Sequence, residues 1–360
     1  MISKMVAAIP FTGNTDSGPA HYKVIQQTEQ IYDPAGNLSA IFTDGAPAIS
    51  YRYDGSGRPI QKTYGTAKNG KPALTADIAY DPMGRLGSTT FRGGALSSPL
   101  VLTYEWDDAD QLTRRTWNGR TLRYEYDPSG QLLKVIDAGD QSILEAYTYD
   151  PAGNMLSKLL HGQTTTMTYN AGNQLATSRD SSGTLAYTYD KAGRMLGTST
   201  QPQNTYGWLD KVTQATQPGG GTTTHTYWPD GQLASISSSK SSSLQSPIPN
   251  LQSSSETFLW DGLALIQRND TIYIIEPHPS GGIPIASHPV GKPKEITYHL
   301  NDMLGTTLAT AGPEGVHFSS LTSFGQPLKS ASSSASLETI APTAPVNPAP
   351  QSNHLPPTKR

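Results

Sequence analysis

One phrase recurs along this 360-residue chain and constrains its fold more than any other feature. It reads Tyr-Asp, two residues, Gly, a polar residue, then Leu or Met. It stands as Tyr32-Asp33-Pro34-Ala35-Gly36-Asn37-Leu38 and returns as Tyr80-Asp81-Pro82-Met83-Gly84-Arg85-Leu86. It returns again as Tyr126-Asp127-Pro128-Ser129-Gly130-Gln131-Leu132 and Tyr149-Asp150-Pro151-Ala152-Gly153-Asn154-Met155. Tyr189-Asp190-Lys191-Ala192-Gly193-Arg194-Met195 is a further copy, and Tyr53-Asp54-Gly55-Ser56-Gly57-Arg58 lacks only the apolar end. Degenerate copies begin at Trp106, Tyr169 and Trp228, with Trp208 between the last two. The aromatic positions 32, 53, 80, 106, 126, 149, 169, 189, 208 and 228 lie 19 to 27 residues apart. A period sustained this long means a stack of supersecondary units, each too small to be stable alone.

The unit is a β-hairpin. Before each turn apolar and polar residues alternate, as in Leu122-Arg123-Tyr124-Glu125-Tyr126 and Leu185-Ala186-Tyr187-Thr188-Tyr189, which is the strand period of two. In Asp-Pro-x-Gly the carboxylate can accept turn N–H groups, and Pro pre-sets φ at the first central position. Gly then supplies the left-handed residue that closes the hairpin through a bulge. A second strand follows, as in Leu132-Leu133-Lys134-Val135-Ile136. Hairpins are marginal in isolation, so the units must join into continuous sheet. Composition agrees: 34 Gly and 28 Pro serve as turns, and 18 of the 29 aromatic residues are Tyr. Apolar content is only 35%, so ladders of Tyr must supply much of the packing.

These residues carry a resemblance. The phrase resembles the YD repeats of bacterial Rhs proteins, which also occur in insecticidal toxin-complex subunits and in teneurins. Phe258-Leu259-Trp260-Asp261-Gly262-Leu263 is similar to the segment near the end of Rhs repeat arrays. Tyr298-His299-Leu300-Asn301-Asp302-Met303-Leu304-Gly305-Thr306 resembles the segment that opens the Rhs-associated core. The resemblance implies an all-β YD-repeat hairpin array spiralling into a partial β-shell. It implies a structural part of a shell that encapsulates and delivers a C-terminal effector, here truncated and without cargo. The implied partners are the rest of a larger Rhs shell or a C-terminal effector, with a secreted or cell-surface location. A cell-surface module binding carbohydrate or protein is the alternative reading, and a self-cleaving protease remnant the remote one.

The expected organisation is a lead-in over 1–29, a repeat array over 30–234 and a Ser-rich disordered insertion over 235–257. The end of the array and the start of the core follow over 258–328, then a disordered Ser/Ala/Pro-rich tail over 329–360, which lacks aromatic residues. The functional residues expected are structural: the Tyr, Asp and Gly of each turn, and Trp260, Asp261, Gly262, Tyr298, His299, Asp302, Leu304 and Gly305 in the core-like segments.

Chemistry-bearing motifs are scarce. With no Cys there is no disulfide framework, thiolate site or Cys nucleophile. A net charge of −3 lacks the basic footprint of nucleic-acid binding. No apolar run approaches the roughly 18 residues that span a bilayer, and the N-terminal apolar run is shorter than a signal-peptide core. Gly65-Thr66-Ala67-Lys68-Asn69-Gly70-Lys71 has phosphate-loop spacing, but Pro72 replaces the hydroxyl that would hold magnesium, so it reads as a hairpin loop. The eight His form no metal-binding pattern, and His299 is expected to pack. No catalytic residue, metal ligand or cofactor is expected.

Overall fold

The computed structural model describes residues 2–10, 22–66, 71–94, 96–160, 162–200, 204–216, 221–239, 255–278, 281–319 and 321–324. Among them are 28 strands and no helix. The chain is all-β, built from antiparallel hairpins in sheets that do not close. The tail over 329–360, the phosphate-loop-like residues 67–70, and most of the Ser-rich segment lie outside the described residues. That segment is strand at both margins: Leu233–Ser239 runs into it and Ser255–Asp261 begins within it. The lead-in also contributes strand, since Ile2–Pro10 pairs antiparallel with Tyr22–Tyr32.

The described residues form two compact units that do not follow the repeat boundaries. The first draws on Met1–Arg123, Asp137–Asp140 and Thr257–Leu337, the second on Tyr124–Ile136 and Gln141–Glu256.

In the first unit the strands from Tyr22–Tyr32 to Leu112–Trp117 pair each with the next. Those from Ser255–Asp261 to Gly315–Phe318 do the same. A single core joins the two runs. Ile41, Ile49, Tyr64, Leu74 and Phe91 come from the first, and Ile274, Ile285, Leu300 and Ala309 from the second. Two sheet faces bury their apolar residues against each other, as in a sandwich. A partly buried ion pair crosses between the runs, Lys62 Nζ to Glu276 at 2.6 Å.

The second unit is a meander with a thinner core. Its strands from Ile143–Tyr149 to Met195–Thr198 pair in sequence, as do those from Asn204–Tyr206 to Leu233–Ser239. Val135, Ile136, Tyr147 and Val212 are buried. The residue before each repeat Tyr faces the opposite side, where hydroxyls pair across strands. Thr148 meets Ser157 at 2.7 Å, Thr168 meets Thr177 at 2.7 Å, and Thr226 meets Ser235 at 2.7 Å. Such hydroxyl pairs suit a sheet face that remains wet.

Candidate functional site: the ladder of YD turns

Each Tyr-Asp-x-x-Gly phrase closes its own turn with local hydrogen bonds. In the first copy Asp33 N donates to Asn37 O at 2.8 Å, and Gly36 N donates to Asp33 O at 3.0 Å. The carboxylate accepts from Asn37 N at 2.8 Å and from Asn37 Nδ2 at 3.0 Å. Gly36 sits at φ +88°, the left-handed conformation that an L side chain adopts only with strain. The backbone pattern repeats at Asp54, Asp81, Asp127, Asp150 and Asp190, each with its Gly three residues on. Pairing then slips by one residue at the Tyr. Ile31 faces Ala40 but Tyr32 faces Leu38, and the same slip recurs at Tyr53, Tyr80, Trp106, Tyr149, Tyr169 and Tyr189.

The Tyr side chain reaches back one repeat. Tyr53 Oη donates to Leu38 O at 2.6 Å, and Tyr80 Oη to Pro59 O at 2.9 Å. Trp106 Nε1 donates to Leu86 O at 2.8 Å, so an indole replaces the phenol without breaking the pattern. In the second unit Tyr149 bonds Leu132 O at 3.0 Å, Tyr169 bonds Met155 O at 3.0 Å and Tyr189 bonds Leu175 O at 2.8 Å. The acceptor is always the first residue of the strand that follows the preceding turn. Buried hydroxyls require partners, and here each is satisfied by the neighbouring unit, so the units lock in register.

The polar residue after Gly makes a second tie. Arg85 bonds its own Asp81 at 2.7 Å and reaches Asp110 of the next turn at 2.8 Å. Arg194 bonds Asp190 at 2.6 Å and Asp210 at 2.6 Å, and lies over the Tyr206 ring at 4.8 Å. Asn154 bonds Asp150 at 2.9 Å and Asn173 at 2.6 Å. Gln174 Nε2 likewise donates to Gly193 O of the next turn at 3.3 Å, so Asn, Arg and Gln at this position fill one role as side-chain donors.

Charge states follow from these contacts. The side-chain hydrogen bond from Asn37 holds Asp33 below the usual carboxylate range, and that from Asn154 does the same to Asp150. The Arg58 backbone N–H lowers Asp54, and that of Arg194 lowers Asp190. Burial pushes the ladder phenols Tyr149, Tyr169 and Tyr189 up, and Tyr53 to about 12. All are neutral near pH 7 and donate.

Several positions differ from the sequence expectation. Tyr206 and Tyr227 carry the repeat role, rather than Trp208 and Trp228. Tyr206 Oη donates to Met195 O at 2.6 Å and Tyr227 Oη to Val212 O at 2.7 Å. Gly207 and Trp228 then occupy the Asp position of their turns. The left-handed position is taken by Asp110 at φ +59°, Asn173 at +59° and Asp210 at +54° where Gly is missing there. In the Tyr169 copy it is Asn173, not Gly172. Short side chains that bond locally tolerate this conformation best.

The core-like segments take two forms. Trp260-Asp261-Gly262 closes a two-residue turn in which Asp261 faces Ala264, not a YD turn. The segment at 298–307 does contain a YD turn. Gly305 N donates to Asp302 O at 3.1 Å, and Asp302 accepts from Leu304 N and Thr306 N at 2.9 Å. Asn301 occupies the Tyr position, and its Nδ2 donates to Pro284 O at 2.8 Å as a Tyr hydroxyl would. Sequence reasoning missed this copy because the aromatic is absent; the Asp302-x-x-Gly305 spacing was the available signal. Leu304 is exposed. Tyr298 packs edge-on against Tyr64. His299 is buried, with Nε2 2.9 Å from Ser287 Oγ, and burial lowers it to about 4.

Among the described residues no three His, Asp or Glu side chains converge on a metal-binding point. A cleft of about 610 Å³ in the first unit is lined by Asp33, Asn37, Ser39, Tyr51, Arg52 and Asp54. Both of its Asp carboxylates are engaged in their own turns. Structurally, the arrangement of turns can hold sheets in register.

Comparison with known proteins places the repeat. The family model of the teneurin YD-shell matches residues 103–220. No curated protein matches the sequence. Among solved structures, the Tc holotoxin pore of Photorhabdus luminescens is similar at 13% identity and a TM-score of 0.46, over 85% of this chain and 19% of that one. A TcdB2-TccC3-Cdc42 crystal structure is similar at 14% identity and a TM-score of 0.47, over 85% and 20%. The chain therefore spans about a fifth of the length of those chains.

Proposed function

Because the chain carries the YD repeats of the Rhs and teneurin YD-shell family, we propose that it serves as a length of shell wall. The wall belongs to a larger Rhs-type assembly that encloses a C-terminal effector, and this chain supplies structure rather than catalysis or cargo. The observation that carries the reading is the ladder. The aromatic donors from Tyr53 to Tyr189 described above bind the backbone of the repeat before them, and Arg85, Asn154 and Arg194 bind the turn after theirs. A protein organised this way devotes its recurring residues to holding a sheet together.

A second feature supports a wall that extends further. Among the described residues the strand Gly315–Phe318 stands last in the order of its sheet, at an edge that another strand can pair with. The partners proposed are therefore the rest of a shell and the effector within it.

Electron microscopy of the purified chain, alone and co-expressed with a downstream effector, tests this reading. Curved sheet with stacked strands, and an effector resistant to added protease, are the expected results. A particle without curved sheet, or an effector digested as fast as when free, would overturn it.

A further inference from the structure

We propose that Asn118, at the tip of the hairpin between Leu112–Trp117 and Arg120–Tyr126, is a site of spontaneous deamidation and backbone isomerisation. The hairpin closes on two residues: Trp117 pairs with Arg120, while Asn118 and Gly119 take φ of +50° and +76°. Both are exposed. Among the described residues neither the Asn118 side chain nor the Gly119 N–H finds a hydrogen-bond partner. A Cβ placed at Gly119 would meet nothing within 4 Å, so its nitrogen is open to approach. Every other described Asn side chain is hydrogen-bonded, Asn154 Nδ2 to Asp150 at 2.9 Å and Asn301 Nδ2 to Pro284 O at 2.8 Å among them. None of those others precedes a Gly. The turn at Asp44-Gly45 shares the backbone of this one, at φ +49° and +79°, yet its side chain is tied: Asp44 Oδ1 accepts from Gln27 N at 2.9 Å.

The chemistry needs only water and hydroxide. Hydroxide removes the Gly119 amide proton, and the nitrogen attacks Asn118 Cγ. The N–Cγ bond forms, the Cγ–Nδ2 bond breaks, and the amide nitrogen leaves as ammonia with a proton taken from water. One water then opens the five-membered succinimide. Opening at Cγ leaves an aspartate at position 118, and opening at the main-chain carbonyl leaves an isoaspartate. The isoaspartate carries the chain through Cβ and Cγ and so adds one backbone atom to a two-residue turn, whose geometry matches the strand twist only at its own length. The neighbouring Trp117 packs edge-on against Phe91 and Phe318, each at 6.2 Å between ring centres. Those contacts join the two strand runs of the first unit, so a distorted turn acts directly on its core.

The test ages the full-length folded chain at mildly alkaline pH. Trypsin frees residues 116–120 as a separate peptide, because Arg115 and Arg120 bound it, and liquid chromatography with mass spectrometry reads its deamidated and isoaspartyl forms. Asn118 should convert before any other described Asn, at a rate that rises with hydroxide concentration. The variant Asp44→Asn puts a second Asn-Gly on the tied turn. Position 44 should then deamidate about fivefold more slowly than Asn118 in the same chain, the factor set by first breaking one hydrogen bond. Aged wild type should unfold at lower urea than fresh protein. The variant Asn118→Gly has no amide to cyclise and suits the positive φ, so it should unfold alike before and after ageing. Three results would each overturn the proposal: another described Asn converting before Asn118, equal rates at positions 44 and 118 in Asp44→Asn, or an Asn118→Gly chain that weakens on ageing as much as wild type.

Discussion

Removing three rungs of the hydroxyl ladder should weaken the second unit measurably without altering its shape. Tyr149, Tyr169 and Tyr189 donate to Leu132 O, Met155 O and Leu175 O at 3.0, 3.0 and 2.8 Å. Replacing each by Phe keeps the ring and its packing and deletes one hydrogen bond. The net worth of such a bond is about 0.5–1.5 kcal/mol. Successive rungs lie two strands apart, about 10 Å, where effects add to a good approximation. The triple variant should therefore lose about 1.5–4.5 kcal/mol, and each single variant about a third of that. The thin core of this unit leaves little to mask the loss. The assay is urea unfolding followed by far-ultraviolet circular dichroism. Hydrogen exchange over residues 132–198 then localises the weakened region. The slope against urea should stay constant, because the exposed area does not change. Tyr32→Phe is the control, since its hydroxyl bonds only the Gln30 side chain. A triple variant within about 0.5 kcal/mol of wild type would refute the ladder as a source of stability. So would a Tyr32→Phe loss as large as that of a ladder rung.

Four further outcomes follow. The ladder phenols are raised by burial, with Tyr53 at about 12; the unfolded chain ionises first, so stability is complete below pH ~10 and is lost as pH rises through the folded values, which a urea midpoint series from pH 8 to 12 will show. His299 is lowered to about 4; the unfolded ring gains its proton near 6.5, so stability present above that value is lost as pH falls toward 4, by about 3 kcal/mol, and His299→Gln should flatten this part of the profile. Gly305→Ala should destabilise the first unit by about 2–4 kcal/mol in thermal unfolding, because φ is +81° and the new Cβ would stand 2.9 Å from Ile283 Cγ1, whereas Gly36→Ala meets open space and should cost about 1–2 kcal/mol. Asn173→Gly suits the left-handed φ of +59° but removes the acceptor of the Asn154 Nδ2 bond, so it should cost up to about 1 kcal/mol, and Asn173→Ala, which also strains the backbone, should cost about 1 kcal/mol more in thermal unfolding.

What could be read from the sequence is what closes within a few residues. Asp33 satisfies its turn through Asn37, four positions away, so the phrase announces both hairpin and bulge wherever it is intact. The same logic, applied without insisting on the aromatic, would have found the turn at Asp302. Tertiary structure decided the rest. The acceptor of each Tyr hydroxyl is a backbone oxygen 14 to 21 residues back in the copies with Tyr53, Tyr80, Tyr149, Tyr169 and Tyr189, and no side-chain identity marks it. Which of Tyr206 and Trp208 holds the ladder depends on the register of the preceding strand. Most of all, the chain alone could not show that Ile274, Ile285 and Leu300 share a core with Ile41, Leu74 and Phe91. Their periodicity tells that each strand has an apolar face. Partner choice across more than 180 residues depends on which faces fit when the sheets meet, and that is a property of packing rather than of any local pattern.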